Sequence, residues 1–184
     1  KSTLSSAISA FERKNTLKKK DMYRFIDSYR LLGEEYVKDR EYIKAMESFT
    51  DGISLFVREN IGSGLPGVSD VGKLYSDYGD IEYFVSGDMD GALQSYQDAV
   101  SNDYDIGEIR YKIGYIQYGK QNYAEAVGSF MKAGEDYADD NSLLLAMGNA
   151  LSMRNDNYAA QSYYQRLLDQ LNAEKNEKQS SKTK

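Results

Sequence analysis

The chain has 184 residues, a formal net charge of −6, and neither cysteine nor histidine. The absence of both residues excludes disulfides, thiol chemistry, imidazole acid–base work and Cys/His zinc sites. Mean hydropathy is −0.66, and no run approaches the roughly 18 apolar residues that a membrane span requires, so insertion into a bilayer is not expected.

The charge is unevenly spread. Residues 1–24 carry seven basic and two acidic side chains (+5) and residues 173–184 carry four and two (+2), which leaves −13 between them. An acidic body with short basic ends repels phosphates, so no nucleic-acid partner is expected. Lys1 opens inside a helical pattern with no initiator methionine, which reads as a fragment or a processed product. A chain without cysteine is compatible with any compartment. The leaning it gives is to a bacterial periplasm or envelope, with the cytoplasm as the alternative.

The elements are expected in the following order. Residues 4–12 place Leu4, Ala7, Ile8 and Phe11 on one helical face. They read either as the second helix of a repeat whose first helix is missing or as a stand-alone capping helix, within an N-terminal segment 1–20. The basic triplet Lys18, Lys19 and Lys20 reads as a solvated turn. Residues 21–38 and 41–58 form a helix pair. Residues 59–70 follow, rich in glycine and holding the only proline, Pro66, and read as an inserted surface loop. The stretch Gly62–Gly67 matches G-x-G-x-x-G, but a helix precedes it and no βαβ unit surrounds it, so no nucleotide site is expected. Residues 70–86 and 88–102 form a second pair. Their turn, from Ser86 to Gly91, resembles part of a calcium loop. Ser86 and Gln97 stand where a calcium loop needs carboxylates, so the turn reads instead as a helix cap by Asp88, and no metal or other cofactor is expected. Residues 105–119 with 122–137, and 140–154 with 157–175, are the third and fourth pairs. From about residue 173 the chain is polar and reads as a fraying, disordered tail.

A period of 34 organises these pairs. Ala92, Ala126 and Ala160 are 34 apart; so are Gly114 and Gly148, and so are Tyr96, Phe130 and Tyr164. A fixed period of this size marks a solenoid of helix pairs. In three copies a glycine stands mid-helix, at Gly33, Gly114 and Gly148. An alanine follows each twelve residues later (Ala45, Ala126, Ala160), and an aromatic four after that (Phe49, Phe130, Tyr164). Glycine inside a helix costs about 1 kcal/mol relative to alanine, so a compensating close approach is expected, with the aromatic of one helix filling the gap on its partner. The second copy departs from this pattern, because Gly79-Asp80 replaces the apolar–glycine pair. The step from Ala45 to Ala92 is 47, thirteen longer than the period, and the excess lies around Arg58–Asp70.

The period and the order small–Ala-x3-aromatic resemble the tetratricopeptide repeat, a helix–turn–helix unit, over about residues 26–172. The family's tryptophan and its proline near the repeat end are absent. The resemblance implies an all-α, right-handed superhelical solenoid of antiparallel helix pairs with about nine helices. The repeats would span 21–58, 71–104, 105–138 and 139–172. It also implies that first helices line a concave groove. That groove would be lined by Arg30 and Lys38 from the first repeat, by Asp77, Tyr78, Ile81 and Phe84 from the second, by Tyr111, Tyr115 and Tyr118 from the third, and by Asn149 and Met153 from the fourth. Family members that clamp a C-terminal carboxylate use Asn, Asn and Lys where Glu34, Tyr78 and Glu108 stand here, so that ligand is not expected.

A second candidate surface is the last helix. No further repeat covers Tyr163, Leu167, Leu168 and Leu171, and solenoid ends need covering. The expected function is therefore a protein-interaction scaffold that binds a partner peptide or helix in the groove. The alternative is a structural or assembly subunit of a larger complex, such as a bacterial envelope, flagellar, pilus or secretion assembly, that associates or self-associates through its stack ends. The residues offer no catalytic set, so an enzyme is not expected.

Overall fold

The computed structural model describes residues 1–13, 19–59 and 68–181. Among these residues there are nine α-helices and no strand, and they form two compact units, Lys1–Asp105 and Ile106–Lys184. The helices pack in consecutive antiparallel pairs.

The first unit holds α1 (Ser2–Glu12), α2 (Lys19–Lys38), α3 (Tyr42–Arg58), α4 (Val68–Ile81) and α5 (Met89–Ser101), with a π turn at Glu82–Ser86 extending α4. α2 pairs with α3 and α4 with α5, and α4 also packs on both helices of the first pair. α1 lies on α2, burying Ile8 and stacking Phe11 on Phe25 with ring centroids 5.1 Å apart. The second unit holds α6 (Gly107–Gly119), α7 (Tyr123–Lys132), a 3-10 turn (Glu135–Tyr137), α8 (Asn141–Met153) and α9 (Asn157–Ser181).

The glycines explain why the pairs close up. A Cβ at Gly114 would come within 2.5 Å of the Phe130 ring. At Gly33 and Gly148 it would come closer still to Phe49 and Tyr164. These aromatics occupy the space the glycines leave, and Phe49 and Phe130 are buried. Burying such a side chain contributes about 1.5–3 kcal/mol, which offsets the helix-propensity cost of the glycine. In the second pair Tyr96 fills the same role against Gly79.

Turns within pairs repeat the same geometry. Arg40, Gln121 and Asn155 are left-handed, with φ of 60°, 63° and 62°. The next amide in each turn donates five residues back: Glu41 to the Tyr36 carbonyl, Asn122 to Gln117 and Asp156 to Leu151, each at 2.9 Å. This is the usual left-handed helix stop. The second pair differs by one residue. Asp88 N–H reaches back six residues to the Glu82 carbonyl at 2.8 Å, and Gly87 is the left-handed residue with φ 69°. Correspondingly, the step from glycine to alanine is 12 residues in the other pairs but 13 from Gly79 to Ala92. A π turn is one residue inserted into an α-helix, and Glu82–Ser86 absorbs this extra residue.

Three expectations need correction. Lys19 and Lys20 belong to the first turn of α2 rather than to a solvated turn. The polar end does not fray at 172: α9 continues to Ser181. Its residues are mostly good helix formers, and Glu174 pairs with Lys178 across one turn at 4.0 Å. The inserted loop, expected over 59–70, ends earlier than that, because α4 begins at Val68. Lys18, the Gly62–Gly67 stretch and Pro66 lie outside the described residues. Asp88 caps α5, its Oδ1 accepting from Gly91 N–H at 2.9 Å.

Candidate functional site

In the first unit, the last turns of α2, the start of α3 and the end of α4 enclose a cleft of about 590 Å³. Its floor is apolar, formed by Val37, Ile81 and the fully buried Phe49. Its lip carries Tyr42, Phe84 and Val85, with Phe84 69% exposed. Glu34, Asp77, Asp80 and Lys38 supply the polar wall. Phe84 and Val85 both lie within the π turn, Glu82–Ser86.

Behind the wall lies an ion-pair network joining α2 to α4. Arg30 binds Asp27 and Glu34, each at 2.6 Å, and Lys73 binds Glu34 at 2.7 Å and Asp77 at 2.8 Å. Burial pushes the Asp77 carboxyl up to about 6, against the pull of Lys73. Burial also pushes Glu34 up, but the hydrogen bond from Lys73 and the charges of Arg30 and Lys73 outweigh it, so that carboxyl sits below its ordinary value. Asp80 accepts from the Tyr96 hydroxyl at 2.7 Å.

The expected groove residues of this unit therefore divide. Lys38, Asp77, Ile81 and Phe84 line the cleft. Arg30 is only 9% exposed and its guanidinium is taken up by Asp27 and Glu34, so it positions Glu34 rather than meeting a ligand. Tyr78 is half-buried against the core of the unit. Val37, Tyr42, Lys73, Asp80 and Val85 were not singled out from the sequence. The spacing of Lys73 to Asp77 and of Arg30 to Glu34 was the available signal for the network, and the 13-residue step was the signal for the π turn.

In the second unit the corresponding tyrosines are half-buried and in contact with neighbouring rings. Tyr111 packs on Tyr115 and Tyr137 with centroids 4.8 and 4.6 Å apart. Tyr115 meets Phe130 edge-on at 5.2 Å, and Tyr118 meets Tyr123 at 5.8 Å. Burial pushes the Tyr111 and Tyr115 hydroxyls above their ordinary values. Asn149 donates to the Tyr118 hydroxyl at 3.1 Å and accepts from Tyr164 at 2.8 Å. These side chains are packing elements, and the apolar surface left on α8 is Leu145 and Met153, 47% and 61% exposed. Glu108 pairs with Lys112 at 2.7 Å. On α9, Tyr163 and Leu167 are half-buried, whereas Leu168 and Leu171 are 51% and 46% exposed.

No protein-family model matches the sequence, and no curated protein matches it. Solved structures do resemble it in three dimensions. A crystal structure of MamA superposes with a TM-score of 0.61 at 15% identity, over 82% of this chain and 81% of that one. BtubC (BKLC) from P. vanneervenii gives 0.66 at 14% identity, over 95% and 72%. The C-terminal part of a TPR repeat-containing protein from Cytophaga hutchinsonii gives 0.50 at 20% identity, over 91% of this chain and 59% of its own length. The fold is that of the tetratricopeptide repeat. A tetratricopeptide fold is in general a scaffold for protein–protein interaction and typically non-catalytic. Among the described residues no helix is long and apolar enough to cross a membrane.

Proposed function

We propose that this tetratricopeptide chain binds a partner peptide or helix in the cleft between α2, α3 and the end of α4. The observation that carries this reading is the exposed, apolar Phe84 at the lip of a cleft whose floor is already built from Val37, Phe49 and Ile81. A concave site with an apolar floor and a few polar wall groups is the usual form of a binding site, and an exposed aromatic in such a place serves as an anchor. Phe84→Ser removes the anchor from a side chain that takes little part in the core. Partner capture is expected to fall while far-ultraviolet circular dichroism stays unchanged. The double variant Tyr111→Ala/Tyr115→Ala serves as the contrast: it should lower stability, because those rings pack on Phe130 and Tyr137. If Phe84→Ser binds as the wild type does, the cleft is not the site.

The exposed pair Leu168 and Leu171 on α9 favours a second reading, association of stack ends in a larger assembly. Light scattering over a range of concentrations separates the two. A mass of 20.8 kDa at all concentrations argues against self-association, and an oligomer dispersed by Leu168→Glu supports it.

A further inference from the structure

The wall of the cleft is short of positive charge. Asp27, Glu34 and Asp77 are three carboxylates served by two cations: Arg30 binds Asp27 and Glu34 and lies 3.9 Å from Asp77, and Lys73 is shared between Glu34 and Asp77. Lys38, the cation at the lip, is bound to Glu35 at 2.5 Å. Asp80 also lines the cleft, its carboxylate accepting from the Tyr96 hydroxyl, and it does not enter this count. The elevated carboxyl of Asp77 agrees with this shortage, since Lys73 does not offset its burial. Removing carboxylates from water is unfavourable unless cations compensate them, so a wall with three carboxylates to two cations favours a further cation from a ligand. Beside this wall, the apolar floor and the π-turn side chains Phe84 and Val85 are open to a bulky apolar group.

We propose that the occupant is a peptide segment that carries a lysine or arginine next to a bulky apolar residue. The apolar side chain enters between Ile81 and Phe84, and the cation lies against Glu34 and Asp77. This inference rests on the reading of the cleft as the binding site and specifies the partner's chemistry there.

The probe is an arrayed random peptide library, screened with the intact chain and with Phe84→Ser. Peptides whose signal disappears in Phe84→Ser define the cleft's ligands. Among them, lysine or arginine adjacent to leucine, isoleucine or phenylalanine is expected to be enriched. Asp77→Asn and Glu34→Gln, each first shown by circular dichroism to keep the fold, are expected to weaken those peptides about tenfold. The same peptides should also weaken as salt is raised. Phe84-dependent peptides enriched in acidic residues, or with no charge preference, overturn the cationic partner while leaving the cleft as the site. If no signal depends on Phe84, both readings fail together.

Discussion

The two units put their first helices to different uses. In α6 the inward face is made of tyrosines whose rings pack tilted or edge-on against neighbouring rings, and the Tyr111 and Tyr118 hydroxyls reach Asp140 and Asn149, at 3.2 and 3.1 Å. Tyrosine buries a ring while keeping a polar tip, so these rings pack largely on one another. In α2 and α4 the equivalent face carries charged side chains that bind one another across the helices, beside the apolar Val37 and Ile81 at the floor of the cleft. The helix end there also carries an extra residue, within the π turn that holds Phe84 and Val85. The strictly periodic unit is thus the packed one, and the unit whose period is broken keeps an open cleft. In this chain, departures from the repeat locate the site better than the repeat does.

The largest effect expected from testing this contrast is at the glycines. Gly114→Leu pushes a side chain into Phe130 and should lower stability by about 1–3 kcal/mol or more, read as a lower midpoint of thermal unfolding. Gly128, in the neighbouring helix α7, has nothing within 4 Å of its would-be Cβ. Gly128→Ala should therefore raise the midpoint, by up to about 1 kcal/mol. Equal midpoints for Gly114→Leu and wild type would remove the packing role of that glycine.

A smaller but more specific effect is expected from removing the extra residue. Deleting Val85 restores the 12-residue step found in the other pairs. The chain should still fold, with a midpoint shift smaller than that of Gly114→Leu, and the Phe84-dependent peptide signal should be lost because the lip no longer faces the cleft. Retained binding would separate the π turn from the site.

The ion-pair network gives a pH dependence whose sign follows from Asp77. Its folded value of about 6 lies above its ordinary 3.8, so between these values the folded state binds more protons than the unfolded one. Stability should therefore fall as pH rises from about 4 to 6 and level off above. Glu34 acts in the opposite sense: its lowered value adds stability above about 4.5, which is lost as pH falls. The charged groups around Asp77 are Lys73 and Asp80 on α4 and Arg30, Glu34 and Lys38 on α2. Glu82 and Asp51 are also raised, first of all by burial. The informative quantity is therefore the midpoint difference between wild type and Asp77→Asn, which should shift in favour of the variant as pH rises through that window, because only the wild type loses the Asp77 contribution. A pH-independent difference would mean that Asp77 titrates normally.

Most of the fold was legible because its determinants are local and periodic. Gly33, Gly114 and Gly148 with Phe49, Phe130 and Tyr164 gave the pairing, and the helix boundaries fell within a few residues of expectation. The candidate site was legible only in part. Helical spacing placed Ile81, Phe84 and Asp77 on one face, but spacing says nothing of what a side chain does once there. Arg30 is consumed by two carboxylates and Tyr115 by Phe130, and both outcomes depend on neighbours distant in sequence or on competition among charges. The tail misread has a different cause: polarity was read as disorder, although Ala, Glu, Lys and Gln hold a helix without burying anything.

The smallest expected effect tests whether the repeated turns are stabilised by the helices they join. Gln121 sits at φ 63° between α6 and α7, and the corresponding turn in the second pair uses Gly87. A left-handed residue with a Cβ carries a penalty of about 1–2 kcal/mol, but glycine loses roughly 0.5–1 kcal/mol more backbone entropy on folding. The two terms nearly cancel, so Gln121→Gly should change stability by no more than about 1 kcal/mol, in the stabilising direction, measured by urea unfolding with an unchanged m-value. A destabilised variant would show that the Gln121 side chain contributes more to the turn than its backbone strain removes. The common geometry of Arg40, Gln121 and Asn155 would then rest on side-chain contacts rather than on the five-residue hydrogen bond that all three turns share.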